Sequence, residues 1–334
     1  MIWFQRLLLC LFLAVPTFAA AQDQCRGVDL IDALEEAERQ KIFEEAAAEQ
    51  FGKGLFWRAE KDDTTLTIFG TYHFKHSKSE VHLERLKPFL DQADKIYLEI
   101  SNEDQAKMQV ALTKDPSMMF IVEGPTLADM LDKTTWQSFQ KEMQARNIPS
   151  FLAAKFKPMW AAMMLGIGPC EAQAGALEGG GIDQLVGEYA TAIGNPSRSL
   201  EQFDELLALL DDMPVEQQLN MIEMSLAWPG NMDDLSYTIR ERYLNEEVAL
   251  TWIFSKYISL EFGGETAEED FAKFSELLLE RRNNDWMTVL DDEVSDGDQV
   301  VIAVGAGHLP GEIGILRLLQ KRGYAIERLP LFED

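Results

Sequence analysis

The sequence is poor in basic residues, and this shortage excludes two classes of partner. Its 334 residues include 30 Lys and Arg against 57 Asp and Glu, which gives a formal net charge of −27 at pH 7. A surface this acidic repels nucleic acid and anionic lipid headgroups. We therefore expect the protein to bind neither of them as its main partner.

Long apolar runs are also absent, so the sequence predicts no integral membrane segment. The run from Leu7 to Val15 follows Arg6 and precedes the small residues Ala19 to Ala21. It is too short to span a bilayer and has the form of a secretory signal peptide. We expect a signal peptide over residues 1–21, cut after Ala20 or Ala21, and a periplasmic or secreted protein; a retained N-terminal anchor is the alternative.

Cysteine is scarce, with three in the chain. Cys10 would leave with the signal peptide, and Cys25 and Cys170 would remain as an even pair in an oxidising compartment. A disulfide between them is the favoured interpretation. The alternative is a thiolate nucleophile at Cys170, but no histidine stands near it in the sequence to activate it.

Several motifs of well-known hydrolases and nucleotide-binding proteins are missing. The chain has no HExxH helix, no GxSxG nucleophile elbow and no P-loop. The acidic run DDEVSDGD places Val294 and Ala303 where a calcium loop needs ligands. We interpret that run as a solvated turn.

Histidine is rare as well, yet two of the four histidines occupy the same local frame. IFGTYHF (68–74) and VGAGHL (304–309) each place an apolar run before Gly-x-x-His. The first motif ends a predicted strand at 64–69, and a helical pattern at 81–90 and a strand at 95–100 follow. The second ends a predicted strand at 299–304 and precedes a helix at 313–319 and a strand at 324–329.

The repeated order of elements predicts the architecture. Two similar strand-GxxH-helix-strand units, at about 64–100 and 299–330, bracket a mostly helical region at about 101–298. A further helix is predicted at Asp29–Phe51. We expect an α/β fold, with α+β as the alternative, in which a mixed sheet packs between helices. Residues 22–334 would form a single domain.

Three residues of these units are candidates for a shared site. Ligands of open α/β sheets gather at the carboxyl edge of the strands, where His73 and His308 would lie. Glu99 interrupts the apolar strand YLEI, and a carboxylate is costly to bury without a partner. Two imidazoles and a carboxylate suit a divalent metal, or an acid/base site in which a histidine is the base and Glu99 orients it.

Other polar residues are weaker candidates. His76 follows His73 at a spacing that would align both on a helix, and His82 lies nearby, but Lys75 and Lys78 favour a solvated face equally. Arg282 would hold a substrate carboxylate or a site glutamate, unless it is an ordinary cation at a helix C-terminus. Asn283 follows it directly, Asp183 is expected as an N-cap, and Glu201 would reach the site only if its loop approached it.

Taken in order, the segments IFGTYHF, YLEI, GGGID, SLEQF, RNNDW and VGAGHLPGEIGILRLLQKRGY resemble the TraB/GumN family. This family is related to the Tiki proteases and the plasmid pheromone-shutdown proteins. The resemblance extends from about Leu66 to Leu329, and its most specific part is the C-terminal GAGHL block. The signal peptide resembles that of the bacterial, GumN-like branch.

The resemblance implies a divalent-metal-dependent peptidase of the Tiki type. The family's proposed active-site residues correspond to His73, Glu99 and His308, which would bind Mn, Co or Zn. Asp183, Glu201, Arg282 and Asn283 match further family positions. The substrate would be a peptide or a small polar molecule.

Two other functions stay open at this stage. One is a metal-free, esterase-like hydrolase that uses the same histidines and Glu99. The other is a non-catalytic envelope protein that binds haem or a peptide signal, with FKPMWAAMM lining an apolar slot. We favour a packed helix for that segment, with Phe156, Met159, Trp160 and Met163 in the core.

Overall fold

The computed structural model describes residues 25–176 and 179–331. The expected signal peptide at 1–21 lies outside the described residues. The α-helices of the described part are α1 (Glu36–Ala48), α2 (Ser79–Leu90), α3 (Asn102–Lys114), α4 (Leu127–Met130), α5 (Lys133–Ala145), α6 (Ser150–Ala153), α7 (Pro158–Leu165), α8 (Pro169–Gln173), α9 (Ile182–Ala192), α10 (Phe203–Asp211), α11 (Val215–Ala227), α12 (Met232–Leu244), α13 (Val248–Phe262), α14 (Ala267–Ser275), α15 (Arg282–Glu293) and α16 (Ile315–Lys321). Shorter turns of 3-10 helix lie at Pro116–Met118 and Ala306–His308, and a π-helical segment lies at Glu276–Arg281.

One mixed sheet organises the chain, as the α/β prediction requires. Its strands are β1 (Phe56–Lys61), β2 (Thr64–Thr71), β3 (Lys95–Leu98), β4 (Arg198–Ser199), β5 (Gln299–Gly305) and β6 (Ala325–Arg328). Their order in space is β4-β3-β5-β2-β1-β6. The strands from β4 to β2 are parallel, whereas β1 is antiparallel to both β2 and β6.

Helices cover both faces of the sheet. On one face, Leu83, Leu86 and Leu90 of α2 form a single stripe that packs against the sheet together with α9. On the other face, α15 and α16 pack against the alternate residues of the same strands. The central strand β5 is therefore buried on both sides, which explains its uninterrupted apolar sequence VVIAV.

The two GxxH units interleave in the sheet. β5 lies between β2 and β3, so the first strand of the second unit separates the two strands of the first. Helix α2 of the first unit packs on one face and α16 of the second on the opposite face. The parallel register pairs Thr71 with Gly305. The carboxyl ends of β2 and β5, and the GxxH motifs that follow, therefore lie side by side.

Some predicted boundaries were wrong. The helix expected at Asp29–Phe51 extends only over Glu36–Ala48, and the strand expected at 95–100 ends at Leu98. The sequence did not predict β1, because its buried residues Phe56 and Trp57 are adjacent and do not alternate with polar ones; β1 pairs with β2 through a turn in which Asp62 has a positive φ of 52°. It did not predict β4 either, because two residues carry no periodic pattern.

The region between the two units is helical, as predicted, apart from β4. Cys25 and Cys170 form a disulfide with an S–S distance of 2.08 Å, which confirms that prediction and leaves no free thiolate at Cys170. In the segment 156–163, Phe156 and Met159 are buried, but the prediction was wrong for Met163, whose exposed fraction is 41%. Within the described residues, no helix is long and apolar enough to cross a bilayer.

Candidate functional site

The candidate site lies at the carboxyl edge of the sheet, where β2, β3 and β5 end next to one another. His73 follows β2 by two residues, and Glu99 is the first residue after β3. Beyond β5 the chain enters the 3-10 turn Ala306–His308, which ends with the second histidine. Neighbouring parallel strands thus bring together three side chains that are far apart in the sequence.

The glycines of the two motifs provide space rather than an unusual backbone conformation. A Cβ at Gly305 would lie 3.0 Å from Oε1 of Glu99, 3.2 Å from Nε2 of His73 and 3.6 Å from Cδ2 of His308. Its φ of −47° is open to any residue. A Cβ at Gly70 would lie 2.8 Å from Leu309 and 3.1 Å from the backbone of Ala306. Gly305 therefore marks the point on which the three site residues converge, and Gly70 lets the two motifs pack closely.

A buried ion cluster fixes Glu99 at this edge. Its Oε1 accepts a hydrogen bond from the backbone N–H of Gly305 at 2.5 Å, and its Oε2 accepts one from Nη2 of Arg282 at 2.6 Å. The same guanidinium also donates to both carboxylate oxygens of Glu201. Glu201 reaches the cluster because it lies two residues after β4 and its backbone N–H donates to the carbonyl of Glu99.

Arg282 begins α15 directly after the π-helical segment, so the expectation of a cation at a helix C-terminus was wrong. Its Nη1 donates to the carbonyl of Leu278 at 3.2 Å and lies 3.3 Å from Nε2 of His308. Its guanidinium also packs over the ring of Trp286, at 5.0 Å from the ring centroid. Irregular helical turns of this kind are frequent at functional sites.

Asn283 determines the tautomer of His308. Its Nδ2 donates to the carbonyl of Ile313 at 2.8 Å, so its Oδ1 faces the imidazole. That oxygen lies 2.7 Å from Nδ1 of His308, which must therefore carry the proton. The lone pair on Nε2 of His308 then accepts from Nη1 of Arg282 at 3.3 Å, and Oε1 of Glu99 lies 3.9 Å from the same nitrogen. The orienting partner and the inward lone pair are what a metal-ligating or proton-accepting histidine needs.

Asp183 has the corresponding position beside His73. Its Oδ1 lies 3.6 Å from Nδ1 of His73, and the ring presents Nε2 to the space above Gly305. Asp183 is in the first turn of α9 and is not the N-cap that the sequence suggested, because Gly181 holds that place. A Cβ at Gly181 would collide with the carbonyl of His73 at 2.3 Å, so this glycine allows the close approach.

The charges around the site shift the pKa values of the two histidines in opposite directions. Enclosure of the His73 ring would lower its pKa, but its side chain remains 56% exposed. The negative charge of Asp183, whose Oδ1 lies 3.6 Å from Nδ1 of His73, and the charge of Glu99 therefore prevail and raise the pKa of His73 to about 9. His308 is buried, and that burial, with the positive charge of Arg282, lowers its pKa to about 3.

The two glutamates are also shifted apart. Burial would raise the pKa of Glu99, but the positive charge of Arg282, the two histidines and the N–H of Gly305 hold it well below its usual range. For Glu201, burial outweighs the same guanidinium and raises the pKa. At neutral pH the site thus contains an ionised Glu99, a protonated His73 and a neutral His308.

A cavity of about 280 Å³ opens beside these residues. His73, Arg282, Gly305 and His308 form its polar side. Most of the remaining lining, which we call the apolar wall, is formed by Tyr72, Phe74, Ile239, Tyr243, Trp252 and Leu279. The cavity thus combines polar groups with a largely apolar lining, a composition that suits a substrate with an apolar side chain next to the reacting bond.

His76 and His82 are not part of this site. Residues 73–78 form no helix, so the spacing of His73 and His76 does not place them on one helical face. Both rings are buried and lie within 5.4 and 6.0 Å of the ring of Tyr243. Trp286 was not singled out as a site residue, yet its indole N–H donates to Glu201 at 3.2 Å and its ring lies 4.4 Å from that of His308.

The spacing of the donor atoms in the site does not match that of a metal centre. Across residues 25–176 and 179–331, no group of three or more His, Cys, Asp or Glu side chains is close enough together to hold a metal ion. In place of such a group, the guanidinium of Arg282 bridges Glu99 and His308.

Comparison with known proteins identifies the family. No match was found among the curated proteins. A sequence model of the TraB/PrgY/gumN family matches residues 55–328, which includes every strand of the sheet and every residue of the site described above. The match begins before β1, somewhat earlier than the resemblance visible in the motifs alone. The chain therefore belongs to the TraB/PrgY/gumN family.

Proposed function

We propose that this protein is a hydrolase that cleaves peptide bonds in the periplasm or outside the cell, with His73, Glu99 and His308 at its centre. One observation carries the proposal: two imidazoles and a buried, ionised carboxylate converge on the free space above Gly305. The Cys25–Cys170 disulfide supports a location in an oxidising compartment.

The three residues supply the donor types that bind a divalent metal ion, but they would hold one only after a local rearrangement, because no three such side chains of the described residues lie close enough together. Asn283 and Asp183 orient the two imidazoles so that each directs Nε2 inward, and Glu99 adds a negative charge. His73, His308 and Glu99 would hold the ion, which would be Mn, Co or Zn. When bound, such an ion polarises a carbonyl and lowers the pKa of water in the site towards about 7. His73 is the exposed member of the three and so the one with room to adjust.

The side chains have distinct roles in this proposal. Arg282 keeps Glu99 ionised and oriented, and because it lines the cavity it also faces the scissile carbonyl. His308 stays neutral, and its Nε2 lone pair would bind or accept a proton once Nη1 of Arg282, 3.3 Å away, turns to the substrate. His73 carries a proton at neutral pH in the absence of metal, because its neighbours Asp183 and Glu99 favour a cation at that place. The apolar wall excludes water and positions the substrate side chain.

The test is peptide hydrolysis followed by mass spectrometry, with the protein loaded in turn with Mn, Co or Zn. We expect one of these metals to support cleavage, and His73→Ala and His308→Ala to reduce it at least 100-fold together with the bound metal. His76→Phe removes a histidine outside the site and serves as the matched control. Equal hydrolysis by wild type, His73→Ala and His308→Ala, unaffected by chelator, would refute the proposal.

A second candidate function is a metal-free hydrolase of the esterase type. It is favoured by the position of Arg282, which already places a permanent positive charge 3.3 Å from Nε2 of His308 and 2.6 Å from Glu99. In that reaction the guanidinium would stabilise the developing oxyanion. Activity that survives dialysis against a strong chelator but is lost in Glu99→Gln would select this function over the first.

A further inference from the structure

A second cavity, which we call the methionine cavity, lies among the helices away from the sheet. Its volume is about 280 Å³, and residues of α7, α11, α12, α13 and α14 line it. Four methionines give it its name: Met163, Met221, Met224 and Met232. It shares no lining residue with the cavity beside His73 and His308.

The lining is almost entirely apolar and adaptable. Trp228, Phe271 and Phe274 add aromatic surface to the methionines, and Met163 lies at the rim with 41% of its surface exposed. Methionine side chains are flexible and polarisable, so they fit ligands of varied shape. The hydroxyls of Ser225 and Ser255 are already bonded to carbonyls of their own helices.

Asp270 is the exception in this lining. Its Oδ2 accepts a hydrogen bond from the hydroxyl of Thr266 at 2.8 Å. Its Oδ1 is buried and has no hydrogen-bond partner within the described part of the chain. The nearest cation on the same helix, Lys273, is engaged with Glu276 at 3.0 Å. Asp270 as a whole is only half-buried, so a small donor from outside the chain can reach this oxygen, and an unpaired carboxylate oxygen in apolar surroundings favours such a donor.

We propose that the methionine cavity binds a small amphiphilic cation. A primary ammonium donates to Oδ1 of Asp270, and an alkyl or aryl body lies between the methionines and the aromatic rings. A charge-assisted hydrogen bond in apolar surroundings gives this ligand its advantage over a neutral one. The net charge of −27 further raises the local concentration of cations.

The test is isothermal titration of the purified protein with three probes of equal chain length: n-octylammonium, n-octanol and n-octanoate. The wild type should bind n-octylammonium at least tenfold more tightly than the other two. Asp270→Asn should abolish this preference and leave n-octanol binding unchanged. Glu268→Gln removes one exposed carboxylate from the same helical turn and should keep the preference for n-octylammonium. This control distinguishes binding at Asp270 from a general attraction of cations to the acidic surface.

Two results would overturn the proposal. Equal affinity for the three probes in the wild type would mean that water satisfies Oδ1 of Asp270. Equal losses in Asp270→Asn and Glu268→Gln would mean that the preference comes from net charge. If Asp270→Asn does not fold, the comparison of the three probes on the wild type still decides the matter.

Discussion

Oδ1 of Asn283 accepts a hydrogen bond from Nδ1 of His308 at 2.7 Å, and the carbonyl of Ile313 fixes the orientation of the same amide. A side chain at the start of α15 thus determines which nitrogen of the second GxxH histidine is available for chemistry. The imidazole cannot present Nε2 to the site unless this partner is in place.

Replacing Asn283 should therefore impair the site without removing any of its three central groups. In Asn283→Ala we expect metal affinity or hydrolysis to fall about 10- to 100-fold. Imidazole ¹⁵N NMR should show the Nδ1–H tautomer of His308 in the wild type. Asn284→Ala is the matched control, because that amide bonds to the carbonyl of Glu280 away from the site. An Nε2–H tautomer in the wild type would contradict this account.

A methyl group at Gly305 should block the site while leaving the fold intact. The backbone there accepts alanine, but the added Cβ would lie 3.0 Å from Glu99 and 3.2 Å from His73. We expect Gly305→Ala to lose at least 100-fold in hydrolysis with little change in the free energy of unfolding. Gly307→Ala, two residues on, adds a Cβ that meets nothing within 4 Å and should keep its activity. Similar losses of hydrolysis in both variants would show that activity depends on the backbone conformation of the turn and not on the space next to Gly305.

The buried guanidinium of Arg282 should be important for stability as well as for chemistry. Its removal in Arg282→Met leaves Glu99 and Glu201 without the guanidinium that they share, and should cost about 3–5 kcal/mol in the free energy of unfolding. Adding Glu201→Gln should restore part of this loss, since one of the two buried charges is then gone.

Urea unfolding measures both effects. The matched control is Arg281→Met, whose exposed side chain pairs with Asp212 at 3.0 Å and should contribute less than about 1 kcal/mol. A double variant no more stable than Arg282→Met would contradict the predicted coupling.

Stability should fall in mild acid because of two histidines outside the site. Burial, then the charges of Arg240 and Lys78, lowers the pKa of His76 to about 4; burial, then His76 and Lys78, lowers that of His82 to about 3. Both values lie below the usual 6.5, so the unfolded chain takes up protons first as the pH falls. Above pH 6.5 both imidazoles are neutral in the folded and the unfolded chain, and as the pH falls towards 4 the folded state loses about 3 kcal/mol of stability for each residue.

Urea unfolding at several pH values between 7 and 4 tests this. The loss of stability across that range should be smaller in His76→Phe than in the wild type. His73→Gln provides the opposite case. Because the pKa of His73 is raised, its protonated ring stabilises the folded protein fully below about pH 6.5, and this stabilisation is lost as the pH rises through about 9. Parallel pH profiles for the wild type and His76→Phe would be inconsistent with this assignment.

Much of the fold was predictable because its signals are local. The apolar runs at 64–69 and 299–304, each ended by GxxH, predicted β2 and β5, and the spacing of Leu83, Leu86 and Leu90 predicted α2. The strands β1 and β4 were missed because they are held by their neighbours in the sheet and carry weak patterns of their own.

The site was predictable only in part, for the same physical reason. The residue types and their motifs singled out His73, Glu99 and His308, since a polar group at the end of an apolar strand is visible in the sequence. Their partners were not visible in that way. Trp286 looks like any core residue on α15, and nothing near Asn283 in the sequence shows that its amide orients an imidazole 25 residues away.

The sequence by itself determined the elements of this protein and the chemical groups at their ends, because hydrophobic periodicity and turn residues act over a few neighbours. Only the tertiary structure decided that β5 lies between β2 and β3, with Thr71 opposite Gly305. That register brings the two GxxH motifs together and places Arg282 between two glutamates. Such choices depend on contacts between distant segments, whose free energy no local pattern records.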